Sequence, residues 1–171
     1  MFAVGQGTLQ FDTFMTARPG SPAIDAPVTL DGAGVTGPDY VGQLFVSAAG
    51  AGSYAAVGTP QAFLGGAGAG YILAGSTPVP GLAGGAAVDV IMRAWATASG
   101  ADWATASTNP NGIIGESTPV TGIALGGGGS PPSVPARLTG LQGFEVALVP
   151  EPSTFALGLL GLAALALRRR K

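Results

Sequence analysis

The fold is decided by residues Ala86–Thr97, with the sequence AAVDVIMRAWAT. Successive side chains of a β-strand point to opposite faces, and this segment keeps that period of two along its length. One face carries the apolar side chains Val88, Val90, Met92 and Ala94. The other face carries Asp89, Ile91, Arg93 and Trp95. The alternation predicts a strand from Ala86 to Thr97.

A second segment, Tyr40–Ala48, has apolar residues on both faces, which predicts a position in the centre of a sheet. Turns rich in glycine, proline and asparagine separate the apolar segments roughly every 8 to 12 residues, and no convincing helix precedes residue 150. Further strands are predicted at Thr8–Phe14, Ala26–Leu30, Tyr54–Val57, Ala62–Leu64, Tyr71–Leu73, Thr118–Leu125 and Leu141–Val149. The pattern predicts an all-β fold in which residues 1–149 form an antiparallel β-sandwich.

A pentapeptide occurs twice, as Trp95–Ser99 and as Trp103–Ser107. The spacing of the two copies is too small for a solenoid repeat or a propeller blade. We interpret the first copy as the end of the long strand, Gly100–Asp102 as a turn, and the second copy as a short following segment.

The composition excludes several classes of activity. The chain has no cysteine and no histidine, so it forms no disulfide, no Ser-His-Asp triad and no zinc site of the common kinds. Charged residues make up only 9% of the chain, against about 25% in an average protein. Residues 1–150 contain eight acidic and three basic residues, a net charge of −5, which argues against a nucleic-acid partner.

The remaining candidate chemistry depends on carboxylates. A pair of acids about 5 to 9 Å apart is the requirement of a glycosidase, and the sequence leaves open that Asp89 or Asp102 meets another acid in space. Asp31 and Asp39 flank a glycine-rich loop and could supply oxygen ligands to Ca²⁺, although the spacing of a calcium-binding loop is absent. Scattered surface carboxylates are the more frequent explanation, so we predict no catalytic residue, no metal and no cofactor.

Two further motifs are weak. Gly32–Gly37 matches G-x-G-x-x-G, but Pro38 and a strand follow where a dinucleotide site requires a helix. Aromatic side chains could form a sugar-stacking platform, although such residues more often pack in a core. The aromatic residues concerned are Tyr40, Tyr54, Tyr71, Trp95 and Trp103.

The last 22 residues have a different character, in three consecutive parts. Pro150-Glu151-Pro152 is a stiff, acidic tripeptide whose prolines favour extended backbone. Ser153–Leu167 is uncharged and apolar, and as a helix it would be about 22 Å long, short of a bilayer core of about 30 Å. Arg168–Lys171 ends the chain with four basic residues. The order predicts a short transmembrane helix at 153–167 whose basic end stays in the cytoplasm, with residues 1–149 outside.

These three parts resemble the PEP-CTERM protein-sorting tail of exported bacterial proteins, also catalogued as an ice-binding protein C-terminal segment. The resemblance is carried by Val149–Thr154, Leu157–Ala163 and Arg168–Arg170. It implies recognition of Pro150, Glu151 and Pro152 by an exosortase, a membrane-embedded, cysteine-dependent processing enzyme. The tail would then be removed and the body passed to the cell surface or to exopolysaccharide.

The beginning of the chain departs from that family's pattern. Family members normally start with an export signal, which needs a basic segment and an apolar stretch, and Met1–Gly5 offers neither. We expect that Met1 is an internal start and that Phe2–Val4 is the end of a signal peptide.

Three hypotheses for the function follow. The first is an exported, non-enzymatic surface or extracellular-matrix protein whose tail directs its sorting and processing. The second is a carbohydrate-binding module or a carboxylate-based glycan enzyme with the same tail, which an open cleft with two close carboxylates and a tryptophan would favour. The third is a permanently anchored membrane protein whose tail is never cut.

Overall fold

The computed structural model describes residues 5–128 and 130–149, and within them the protein is mostly β-strand. One α-helix, α1 (Trp103–Thr108), and two 3₁₀ turns, Gly66–Gly68 and Thr97–Ser99, are also present. The strands are β1 (Gln6–Asp12), β2 (Phe14–Met15), β3 (Ile24–Asp25), β4 (Val28–Leu30), β5 (Ala33–Gly34), β6 (Tyr40–Ala48), β7 (Ala55–Ala62), β8 (Leu73–Ala83), β9 (Ala87–Ala96), β10 (Ile113–Glu116), β11 (Val120–Ala124), β12 (Ala136–Arg137), β13 (Phe144–Glu145) and β14 (Ala147–Leu148).

The largest sheet has six strands, and β9 has paired neighbours on both edges. On one edge β6 pairs along its whole length, from Tyr40 opposite Ala96 to Ala48 opposite Val88. On the other edge β10 pairs with the C-terminal half of β9 and β11 with the N-terminal half. Beyond these strands, β7 pairs with β6 and β14 with β10. The predicted central position of the Tyr40–Ala48 strand is therefore confirmed.

Three smaller sheets complete the described part, with the orders β12-β1-β8, β13-β4-β5 and β2-β3. Most pairs are antiparallel, as predicted, but β1 pairs with β12 and β4 with β13 in parallel. Parallel pairs need a long connection between their strands, and β12 and β13 both come late in the chain. The purely antiparallel prediction was wrong for these two short pairs.

The main core contains side chains from the six-stranded sheet and from the sheet of β1, β8 and β12. Leu9 and Phe11 of β1 and Val79 of β8 belong to the same buried cluster as Leu44 of β6 and Met92 of β9. Full burial of such a side chain contributes about 1.5 to 3 kcal/mol to stability. With no disulfide available, this shared core is the main source of stability in the body.

The opposite face of the six-stranded sheet carries a second packed group, which we call the outer-face cluster: Phe45, Arg93, Trp95 and Trp103. Trp103 makes edge-to-face contacts with Trp95 and Phe45, at ring-centroid distances of 6.1 and 6.4 Å. The Arg93 guanidinium lies 4.5 Å from the Phe45 ring centroid and 4.9 Å from that of Trp103. Trp95 is fully buried, so β9 is covered on both faces.

The segment that covers this face contains a helix that the sequence analysis did not predict. Asp102 caps α1, since its Oδ1 accepts a hydrogen bond from the Thr105 backbone N–H at 2.8 Å. An N-terminal aspartate of this kind stabilises a helix, and the pKa of its carboxyl is lowered by the same bond. The second copy of the pentapeptide is therefore helical, whereas the first copy ends β9 and forms a 3₁₀ turn.

Several strands were missed entirely or in part, β8 and β10 among them. β8 runs over Leu73–Ala83, although only Tyr71–Leu73 was predicted, because Pro78 and Pro80 interrupt the usual strand pattern. Proline is tolerated where its missing N–H is not needed by a neighbouring strand. β10 was also missed, since its four residues are too few to show a period.

Bulges interrupt the sheets, and polar side chains bond to the extra residues. Between β1 and β8 the register shifts near Asp12, whose Oδ1 accepts from the Gly75 N–H at 2.9 Å. Between β6 and β7 the register shifts near Gln43, whose Nε2 donates to the Gly58 carbonyl at 2.6 Å. Both glycines have φ values near +70°, which other residues adopt only with strain.

Asp89 joins two turns across the six-stranded sheet. Its carboxylate accepts from the Gly50 N–H at 2.7 Å and from the Gly122 N–H at 2.9 Å. Gly122 lies at the bulge of β11. These two backbone bonds lower the pKa of Asp89, with the Gly50 bond the larger cause. The carboxylate therefore contributes to the fold in its ionised form.

We predict that Asp89→Asn lowers the free energy of unfolding at neutral pH. Because the folded pKa lies below the ordinary value of 3.8, the stabilisation is complete above that value and is lost as the pH falls through the folded pKa. The variant should therefore lose stability at pH 7 and show a weaker acid dependence. Urea unfolding of the full chain in mild detergent at several pH values measures both effects.

Asp39→Asn is the matched control, since the Asp39 side chain makes no hydrogen bond within residues 5–128 and 130–149. It removes the same charge without removing a side-chain hydrogen bond. Equal effects of the two substitutions would contradict the role assigned to Asp89.

Candidate sorting junction

The last described residues, Phe144–Val149, lead directly into the predicted sorting tail. β13 pairs in parallel with β4, through Phe144 opposite Val28 and Glu145 opposite Thr29. The Val146 N–H then donates to the Thr29 carbonyl at 2.8 Å, and the Val146 side chain is fully buried. Val146 therefore anchors the end of the body in the main core.

After Val146 the chain moves to the edge of the six-stranded sheet. Ala147 and Leu148 form β14 and pair with Ile114 and Ile113 of β10. The Val149 N–H donates to the Gly112 carbonyl at 2.7 Å. Leu148 is 65% exposed, so this final pair is held by backbone bonds more than by burial. The predicted strand Leu141–Val149 is thus two short strands that belong to different sheets.

The approach of this segment to β10 requires a residue without a side chain at position 115. A Cβ atom on Gly115 would lie 2.5 Å from the Glu145 carbonyl oxygen and 3.0 Å from the Val146 Cα. The sequence analysis did not identify Gly112, Gly115 or Val146 as important. No local pattern marks them, because their role depends on contacts between distant parts of the chain.

The junction is also connected to the outer-face cluster. Trp95 Nε1 donates to the Gly100 carbonyl at 3.0 Å, which holds the covering segment against β9. Asn109 Nδ2 donates to the Ser99 carbonyl at 2.9 Å, and the Ser99 hydroxyl accepts from the Ile113 N–H at 2.9 Å. A continuous set of hydrogen bonds therefore positions the strand that pairs with β14.

The structure gives both candidate catalytic carboxylates a structural role. Asp89 accepts two backbone N–H bonds from turns, and Asp102 caps α1. The pKa of each carboxyl is lowered by its backbone partners, whereas a general acid needs a raised value. The arrangement gives no support to Asp89 or Asp102 as a member of a catalytic acid pair.

The possible sugar-stacking platform gains no support from the three rings whose contacts are defined. Trp95 is buried, and the ring of Trp103 is covered by Arg93 and by the edges of its aromatic neighbours. Tyr71 packs against Phe14 and donates its hydroxyl to Asp25 Oδ1 at 2.6 Å. That hydrogen bond raises the pKa of Tyr71. These contacts agree with packing, which is the more frequent role of such rings.

The calcium hypothesis for Asp31 and Asp39 also gains no support. Residues 5–128 and 130–149 contain no group of three or more acidic side chains that could hold a metal ion. Asp31 is an exposed turn residue with a φ of +50°. Within Gly32–Gly37, residues Ala33–Gly34 form β5 and no helix begins, which agrees with the rejection of a dinucleotide site.

The predicted recognition residues Pro150, Glu151 and Pro152 lie outside the described residues. The same holds for the predicted transmembrane helix at 153–167 and for the basic residues Arg168, Arg169, Arg170 and Lys171. Among the helices of the described part, none is both long enough and apolar enough to cross a bilayer.

Comparison with known proteins gives one match, at the end of the chain. The family model of the PEP-CTERM protein-sorting motif matches residues 148–171. The match covers all three parts of the predicted tail and begins within β14. No curated protein and no solved structure matches this chain.

The chain therefore carries a PEP-CTERM protein-sorting motif, and the resemblance stated from the sequence is confirmed. The motif indicates an exported protein that is sorted to the cell envelope, with an exosortase as its processing partner. The matched segment overlaps the folded body at β14, so the motif starts where the described sheet ends.

We predict that Gly115→Val displaces the junction. The added side chain must push Glu145 and Val146 away from β10, and overpacking of this kind costs about 1 to 3 kcal/mol. β14 should then lose its pairing and the Val149 N–H its protection. Hydrogen exchange of residues 146–149 in the full chain measures this loss directly.

Gly65→Ala is the control, since Gly65 has a φ of −106° and no atom within 4 Å of its added Cβ. It should leave the exchange of residues 146–149 unchanged. Unchanged protection in Gly115→Val would show that the segment does not depend on the close approach.

Proposed function

We propose that this protein is an exported, non-enzymatic surface or extracellular-matrix protein with a β-sandwich body. Its C-terminal tail is recognised by a membrane-embedded exosortase through Pro150, Glu151 and Pro152. The single observation that carries the proposal is the match of the sorting motif to residues 148–171, directly after a folded sheet edge.

The junction supports this role of the tail. Val149 is held at Gly112, and the next residue is the first proline of the motif. Prolines at 150 and 152 have no backbone N–H to donate, and their fixed φ favours an extended peptide. An extended peptide with a low entropy of ordering is suited to recognition in a groove of an enzyme.

The membrane insertion of the tail is part of the same proposal. Ser153–Leu167 would form a short helix in the bilayer, and Arg168–Lys171 would stay on the cytoplasmic side. The long arginine side chains can reach the interface and reduce the mismatch with the bilayer thickness. The body then lies outside the cell, and removal of the tail releases it to the surface.

The hydrogen bonds of the acidic residues support the proposal of a non-enzymatic role. The chain contains no histidine or cysteine, and the two carboxylates considered for catalysis bind backbone N–H groups. A cleft of about 930 Å³ among the described residues is lined by neither a carboxylate nor a tryptophan. Such a cleft does not meet the requirement of a glycosidase.

We predict that replacing Pro150, Glu151 and Pro152 together by alanine prevents processing. In a host that carries the exosortase, the wild-type chain should lose Phe155–Lys171, whereas the variant should keep the tail and stay in the membrane fraction. Mass spectrometry of the mature protein and cell fractionation measure these outcomes. Replacing the exposed prolines Pro78 and Pro80 of β8 by alanine is the control, since they have the spacing of Pro150 and Pro152 and lie outside the junction, and it should leave processing intact.

Two results would contradict the proposal. Normal processing of the triple-alanine variant would show that the exosortase does not need Pro150, Glu151 and Pro152. Retention of Phe155–Lys171 in the wild-type protein would instead support a permanently anchored protein.

A further inference from the structure

The body contains a cleft of about 930 Å³. Its walls come from the turn after β2, from β11 and the residues that follow it, and from the segment that enters β12. The volume falls within the range of about 300 to 1,000 Å³ that is typical of ligand sites. Polar side chains line it together with apolar ones, and the polar residues are Gln10, Arg18, Ser21, Thr121, Ser133, Arg137 and Thr139.

One wall is a rigid turn that presents two polar side chains. Arg18 and Ser21 exchange two backbone hydrogen bonds, each 2.9 Å long. Between them are Pro19 and Gly20, and Gly20 has a φ of +75°, as in a turn with proline at its second position and glycine at its third. Proline and glycine at these positions fix the conformation, so Arg18 and Ser21 stay side by side at the cleft.

The second basic residue of the cleft, Arg137, is held against the same turn. Its Nη1 donates to the Ser21 hydroxyl at 2.7 Å, and its Nη2 donates to the Thr16 carbonyl at 3.0 Å. A guanidinium has five N–H donors, and these bonds use two of them. Nε is buried and has no acceptor in the described part of the chain. The guanidinium is thus oriented by the protein and retains donors on its two terminal nitrogens.

The charges of the cleft differ from those of the rest of the body. Residues 1–150 carry a net charge of −5, yet two of their three arginines lie here. The third, Arg93, forms an ion pair with Glu116, whereas within residues 5–128 and 130–149 no carboxylate lies within 4 Å of the Arg18 or Arg137 nitrogens. The nearby Asp12 is engaged by Gln10 and by the Gly75 N–H. The cleft is therefore a local positive site in an acidic protein.

We infer that this cleft binds an acidic saccharide through the carboxylate of a uronate residue. Arginine is suited to a carboxylate because its planar fork donates parallel hydrogen bonds. The hydroxyl side chains of Thr121, Ser133 and Thr139 match the hydroxyl groups of sugar rings. The lining contains no carboxylate that would repel the ligand. This site is separate from the sorting junction and does not depend on the proposed processing.

The test is isothermal titration calorimetry of the full chain in mild detergent with a galacturonate oligosaccharide. A neutral glucose oligosaccharide of equal length and a glutamate oligopeptide are the comparison ligands. Arg18→Gln should weaken binding of the galacturonate ligand about tenfold, the size expected for a lost hydrogen bond to a charged group. Arg18→Lys should weaken it less, and the neutral saccharide should not bind. The affinity should fall with added salt, because the contact is ionic.

Arg137→Gln should also weaken binding, but it removes two bonds that hold the turn, so Arg18→Gln is the decisive variant. Arg18 is exposed, and no hydrogen bond of its side chain is present in the described part, so its loss should leave the unfolding midpoint unchanged. Arg93→Gln is the charge-matched control outside the cleft and should leave the affinity of the folded chain unchanged.

Three results would overturn the inference. The first is no detectable binding of the galacturonate ligand, and the second is equal weakening by Arg18→Gln and Arg93→Gln, which would show a non-specific effect of net charge. The third is a glutamate oligopeptide or a neutral saccharide that binds as tightly as the galacturonate ligand. None of these results changes the expectation for the sorting tail, which is measured by processing.

Discussion

The body depends on the pairing of β9 with β6, because both strands are buried on both faces and β9 is also paired on both edges. Leu44 and Met92 face the main core, while Phe45 and Trp95 face the outer side. The sheet therefore stabilises two apolar layers at once. The chain has no disulfides and few charges. Apolar burial on both faces of this sheet therefore offsets the conformational entropy that its many glycines lose on folding.

The sequence predicted these central strands well because an apolar period of two is a local signal. Tyr40–Ala48 was found with its observed bounds, and Ala86–Thr97 differs by one residue at each end. β8 was largely missed, since its prolines and its bulge glycines resemble a loop. α1 was missed because a six-residue helix depends on its Asp102 cap and on packing against β9, which no period reveals.

The candidate sites also differ in whether a local sequence signal marks them. The sorting motif was recognised from the sequence because its three parts are contiguous and each has a distinct composition. The cleft that contains Arg18 and Arg137 was not predicted, because the two residues are far apart in the chain and meet only through the turn at Ser21. The residue types suited a catalytic acid or an aromatic platform. In the structure, however, Asp89 and Asp102 bind backbone N–H groups, and the two tryptophans pack against each other.

The position of both tryptophans has a spectroscopic consequence. Trp95 and Trp103 are adjacent, with ring planes inclined by 67°, so their excited states should couple and give a paired positive and negative band in circular dichroism. Both indoles report only on the outer side of the six-stranded sheet. Intrinsic fluorescence would therefore follow the loosening of the covering segment, and it would be silent about events confined to the arginine-lined cleft.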